Sequence, residues 1–145
     1  MSELSRTLDE TKQSMTKLLR SHGITPTIQR VKIASAILAR PQHLSAEDAM
    51  QLSNESGKTV SKATVYNTLG LFARKGLIRE LIVDPSRTFY DSSTHSHHHF
   101  YNPETQELSD IDEELIQISL PENLPENTEI DSIEVVVHLR GKTSH

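Results

Sequence analysis

The chain has no cysteine and no tryptophan. Without thiols there can be no disulfide, no thiolate zinc site and no iron–sulfur cluster, so any bound metal must sit on nitrogen and oxygen. Aromatic residues make up 4% of the chain, which leaves a mostly aliphatic core. No apolar run approaches the ~20 residues that a membrane-spanning helix needs. The N-terminus lacks an apolar signal-peptide core, so the expected location is the cytoplasm, with no membrane partner. Internal repeats, low-complexity linkers and a glycine-rich pocket loop are also missing.

Positive charge is almost absent from the last third. Residues 1–90 hold 13 Lys+Arg against 8 Asp+Glu, and residues 91–145 hold 2 against 12. The halves therefore carry +5 and −10, which together give the net −5. An asymmetry of this kind is expected when one half meets an anionic polymer. It divides the 145 residues into 1–90 and 91–145, a length able to bury one core or two small ones.

Leu4, Leu8, Met15, Leu18 and Leu19 recur at near-helical spacing, and Gly23 suits the left-handed position after a helix. A second helix is expected from Thr25-Pro26-Thr27, with Ile28, Val31, Ile33, Ala34, Ile37 and Leu38 inward and Pro41 ending it. Ser45-Ala46-Glu47-Asp48 resembles a capping box, with Asp where Glu or Gln is usual. It starts a third helix that Gly57 closes. A fourth helix opens at Val60-Ser61, places Val65, Leu69 and Phe72 inward, and stops at Gly76. Leu77–Val83 and Thr88–Asp91 alternate like strands around the turn Asp84-Pro85-Ser86-Arg87. Helices followed by a hairpin predict a winged helix-turn-helix. Beyond residue 91, strands are expected around Glu107–Ile111 and from Ile133 to Leu139, and Leu115–Leu120 fits either a short helix or a strand. The fold class is thus α+β: a winged helix-turn-helix domain over 1–90 and a small α/β dimerisation and sensing domain over 91–145. The second half is too small to stand alone and should need a second copy of itself.

Two stretches carry chemistry. In Ser61-Lys62-Ala63-Thr64-Val65-Tyr66-Asn67, short polar and methyl-bearing side chains occupy the first turns of a helix, where major-groove readers hold their base contacts. Thr64 and Tyr66 suit thymine methyls and Asn67 suits adenine. Lys58, Ser61, Lys62 and Arg87 suit phosphates, with further charge from Arg74, Lys75 or Arg79. A solvated helix face with Tyr66 packed on a neighbour would leave the same pattern. In His95-Ser96-His97-His98-His99-Phe100, strand alternation puts His97 and His99 on one face and His98 on the other. Two imidazoles begin a metal site, and the fold must bring the remaining donors. A solvated strand entry is the alternative, and the lone His22, His138 and His145 suit surface or structural roles.

Ala63-Thr64-Val65-Tyr66-Asn67-Thr68-Leu69, with His43-Leu44-Ser45-Ala46-Glu47-Asp48 before it and Gly76-Leu77-Ile78-Arg79 after it, resembles the ferric-uptake-regulator (Fur) family from about Gly23 onward. His97-His98-His99-Phe100-Tyr101 and Val135-Val136-Val137-His138-Leu139-Arg140 look most like its iron response regulator (Irr) branch in α-proteobacteria. The resemblance implies a dimeric, non-catalytic transcription regulator, such as a repressor, on palindromic double-stranded DNA. Carried over residue by residue, its regulatory metal site would be His43, Asp91, His97, His99 and Asp110, a set suited to Fe(II), Mn(II) or Zn(II). His98 and Asp131 would belong to a second site whose expected acid falls near Gln117, and in the Irr branch His97, His98 or His99 would bind haem. The chain departs from the family at three places. Asn102 and Thr105 stand where many members carry CxxC, the proline-bearing Leu120–Glu126 replaces much of a helix, and Thr25 takes the place of a basic minor-groove residue. Two other readings stay open. One is a manganese- or peroxide-responsive repressor with the same five ligands, to which Asp110 in place of Glu is relevant. The other is a mononuclear metalloenzyme.

Overall fold

The computed structural model describes residues 3–55, 59–84, 86–92 and 98–143. Its contacts divide the chain into two units, 1–94 and 95–145.

In the first unit, four helices precede a hairpin: α1 (Glu3–Ser21), α2 (Ile28–Ile37), α3 (Ala46–Ser53) and α4 (Lys62–Arg74), then β2 (Arg79–Asp84) and β3 (Arg87–Asp91). A three-residue strand, β1 (His43–Ser45), lies between α2 and α3. Each helix boundary has a local cause. Gly23 and Gly76 adopt positive φ, and behind each the next amide reaches back over the helix end, Ile24 N–H to Leu19 O at 2.9 Å and Leu77 N–H to Phe72 O at 2.9 Å. Both ends are Schellman motifs, sealed by burial of Ile24 and Leu77. Thr27 caps α2 by accepting from Arg30 N–H. Ser45 and Asp48 form a reciprocal capping box at α3, at 3.1 and 3.2 Å, so aspartate is long enough for this position. Ser61 caps α4 through Thr64 N–H at 3.2 Å. Asn54 pairs with both backbone groups of Val60 and so joins the end of α3 to the start of α4.

The core is aliphatic, as the composition requires. Leu19, Ile33, Ala34, Val65, Leu69 and Phe72 are fully buried, and Met15 and Leu18 pack against them. The side chains of Leu4 and Leu8, and also Gly57 and Pro85, lie outside the described residues. Ile28, expected inward, is 88% exposed, because it opens α2 ahead of the turn that meets the core. The sheet order is β1-β3-β2, antiparallel throughout. β1 was not legible from periodicity. Three residues are too few to show alternation, and β1 exists because β3 offers it a free edge.

The second unit is a three-stranded sheet of order β5-β4-β6, with β4 (His98–Asn102) central, β5 (Glu107–Ile111) antiparallel to it and β6 (Val136–His138) parallel. Asn102 Oδ1 accepts from Glu104 N–H in the β4–β5 turn, and Gln106 takes a positive φ there. The strand expected from Ile133 to Leu139 shortens to three residues. Leu115–Leu120 is neither helix nor strand beyond a single 3-10 turn at Glu113–Leu115. Buried side chains among the described residues of this unit are His99, Tyr101 and Ile111.

Candidate metal centre and nucleic-acid face

One device occurs twice. In the first unit, His43 opens β1 and Asp91 closes β3, directly opposite each other in the antiparallel register. His43 Nε2 lies 3.3 Å from Asp91 Oδ2. In the second unit, His99 on β4 faces Asp110 on β5 across another antiparallel pair, with Nε2 3.2 Å from Oδ1. Facing residues in such a ladder hold their Cβ atoms about 5 Å apart, which lets an imidazole and a carboxylate meet without strain.

Burial is nearly complete for one member of each pair, while Asp110 is 54% exposed. Asp91 is 2% exposed and His99 is fully buried. Removing a carboxylate from water is costly unless a cation or a strong hydrogen-bond donor offsets it. Two donors bound to one tetrahedral metal at the usual 2.0–2.1 Å sit about 3.3 Å apart, matching both observed separations. His43 and Asp91 in the first unit, and His99 and Asp110 in the second, each offer a nitrogen and a carboxylate oxygen, donor types that suit a divalent transition metal.

His97 lies outside the described residues. His98, on the other face of β4, accepts at Nδ1 from the Val135 N–H at 3.1 Å. A neutral ring bonded in this way carries its proton on Nε2. Asp131 is exposed and lies in no strand. His22 bonds through Nδ1 to Leu18 O, and the exposed His138 meets Tyr101 edge to face at 6.0 Å, so both have structural partners.

On α4, Lys62, Tyr66 and Asn67 are exposed, while Thr68, Val65, Leu69 and Phe72 are buried. Lys62 Nζ stands 5.7 Å from the centre of the Tyr66 ring, a cation–π distance that links two side chains of this face. Thr64 is half-buried, and its Oγ1 accepts from Ser61. The Ser61 hydroxyl is thus committed to capping the helix. Arg87 is half-buried at the start of β3, and Lys58 lies outside the described residues. Tyr90, in the core behind this helix, has its phenol pKa raised by burial, with the Glu80 carboxylate opposite it and Tyr66 adding to the effect.

A winged helix with a polar reading face, in a chain whose two sheets each present a histidine–aspartate pair, defines a class: metal-responsive DNA-binding regulators. Residues 21–138 match the Ferric uptake regulator family, and the chain belongs to that family. It is 31% identical over 99 residues to the peroxide-responsive repressor PerR of Staphylococcus saprophyticus, an alignment covering 68% of this chain and 67% of that protein. Among solved structures it is similar to the ferric uptake regulator of Pseudomonas aeruginosa with manganese, with a TM-score of 0.67, 25% identity, and coverage of 88% of this chain and 98% of the other. The Vibrio cholerae ferric uptake regulator shares the fold, with a TM-score of 0.70 and 21% identity over 87% of this chain and 98% of that one.

Sequence reasoning missed β1 and the hydrogen bonds around Gln42 and Ser92 that flank the His43–Asp91 pair. Each of these bonds has a backbone group at one end at least, and no residue pattern announces them.

Proposed function

We propose that this protein is an iron-responsive transcriptional repressor of the Irr type, acting as a homodimer on palindromic DNA. Residues 1–90 form the DNA-binding domain and 91–145 the dimerising and sensing domain. The carrying observation is the repeated cross-strand His–Asp pair, once in each unit. His43 and Asp91 from the first unit, with His97, His99 and Asp110 from the second, would hold one divalent cation. Ligation supplies a positive centre that ties donors of both domains together. The donors' part is to fix the relative setting of the domains, and so the spacing of two recognition helices against half-sites about one helical turn apart. Thr64, Tyr66 and Asn67 read bases, and Lys58, Ser61, Lys62 and Arg87 hold phosphates. Ser61, whose hydroxyl is committed to capping α4, would do so through its backbone N–H.

Haem is the second ligand of this reading, through His97, His98 or His99, with His98 and Asp131 as the alternative second metal site. His98 would offer Nε2 as a neutral ligand only in the tautomer with its proton on Nδ1, which gives up the bond from Val135 N–H. A manganese- or peroxide-responsive repressor is the competing reading, favoured by Asp110 and by the likeness to a peroxide-responsive repressor.

The test is nuclease protection of one palindromic duplex, titrated with protein alone and then with Mn(II), Fe(II) or haem. Binding abolished by haem supports the Irr-type reading. Binding gained only with Mn(II) favours the manganese reading. Identical footprints in every arm, for wild type and for the His97→Ala, His99→Ala double variant, would refute ligand control altogether.

A further inference from the structure

We infer that Ser92 is a positioning residue for the metal half-site: a hydroxyl clasp that sets His43 opposite Asp91 before any cation arrives. This rests on the reading of His43 and Asp91 as ligands. β1 is an edge strand of three residues, and its first residue is His43. The chain reaches it through an irregular turn, residues 38–42, in which few backbone groups have ladder partners. An edge this short would fray, and His43 would fray with it.

Ser92 follows Asp91 and grips that turn. Its Oγ accepts from Gln42 N–H at 3.0 Å, and within reach of its own O–H are two acceptors, Arg40 O at 3.4 Å and Gln42 O at 3.5 Å. Its own N–H donates to Gln42 O at 3.2 Å, extending the β1–β3 ladder one rung past the histidine. Gln42 in turn donates through Nε2 to Ile37 O at 2.9 Å, which anchors the turn to the end of α2. On the other side of His43, the Ser45–Asp48 box fixes the chain into α3. The backbone that carries His43 is therefore held on both sides, and Ser92 supplies the clamp beside Asp91. Partners that orient a ligand commonly change metal affinity by 10–100-fold when removed.

The test compares wild type, Ser92→Ala, Ser92→Thr, Ser92→Cys and His43→Ala in the full chain, using Mn(II) affinity by equilibrium dialysis, the visible spectrum with Co(II), and the apo-protein melting temperature. Ser92→Ala is expected to bind Mn(II) about tenfold more weakly and to shift the Co(II) bands. Ser92→Thr, which keeps the hydroxyl, should restore both, and Ser92→Cys should fall between. If Ser92→Ala does not fold, the Cys and Thr variants carry the comparison. Wild-type affinity in Ser92→Ala or Ser92→Cys, with binding weakened in His43→Ala, would overturn the clasp and leave the metal reading intact. Unchanged binding in His43→Ala would overturn both.

Discussion

A single carboxylate tests what each His–Asp pair is for. Asp91 is almost fully buried beside His43, where its charge is costly unless a cation shares the site. Asp91→Asn keeps the shape and removes the anionic donor. Because an outer partner alone is worth 10–100-fold, loss of a direct ligand should weaken Mn(II) binding by more than about 100-fold, read by isothermal titration. Unchanged affinity would mean that the pair serves only the fold. Tyr90, the neighbouring residue, makes a prediction about pH. Its pKa in the folded protein is raised above the ordinary 10.0, chiefly by burial. Above about pH 10 the unfolded chain releases this proton while the folded chain retains it, so the unfolded state gains. The stability that Tyr90 confers is whole below that pH and is lost as pH rises toward the folded value. Denaturant midpoints measured from pH 8 to 11 should decline at the alkaline end, and Tyr90→Phe should flatten the decline.

At the scale of elements, the helices are fixed by their ends. Gly76 sits at φ +76, and an added methyl there would meet no atom within 4 Å. Gly76→Ala should therefore cost backbone strain alone, about 1–2 kcal/mol in urea unfolding, with no loss from crowding. A neutral result would show that α4 ends by some means other than its left-handed cap. This is also why the helices were legible: Gly23, Thr27, Ser45, Ser61 and Gly76 are local signals, readable without knowing what lies across the core. The strands were less so. The expected strand from Ile133 to Leu139 has the right alternation, yet it pairs with β4 over three residues only. β1 gave no sign at all, since its existence depends on β3, more than forty residues away. The site divides in the same way. His97–His99 spacing and the family resemblance pointed to the donors, but that His43 and Asp91 occupy one rung, and His99 and Asp110 another, is a fact of register that no local pattern encodes.

At the scale of the whole molecule, the two units differ most in how well each can bury itself. The first has a contiguous core built on Phe72, Leu69, Ile33 and Leu19. The second keeps Leu115 at 77% and Leu120 at 55% exposure, with Ile118, Leu124, Ile130 and Leu139 also exposed. Covering two leucines is worth roughly 1.5–3 kcal/mol each, enough to decide whether so small a sheet stays folded. A second copy of the same unit would supply that cover and would also bring two recognition helices to one duplex, as a palindromic operator requires. On this argument, folding and DNA binding share one dependence on concentration. Sedimentation should show a dimer, and the melting temperature should rise with protein concentration. Leu115→Glu with Leu120→Glu should shift the protein toward monomer and weaken binding to a full palindrome far more than binding to an isolated half-site. If the double variant remains dimeric and binds the palindrome as before, Leu115 and Leu120 are not where the copies meet.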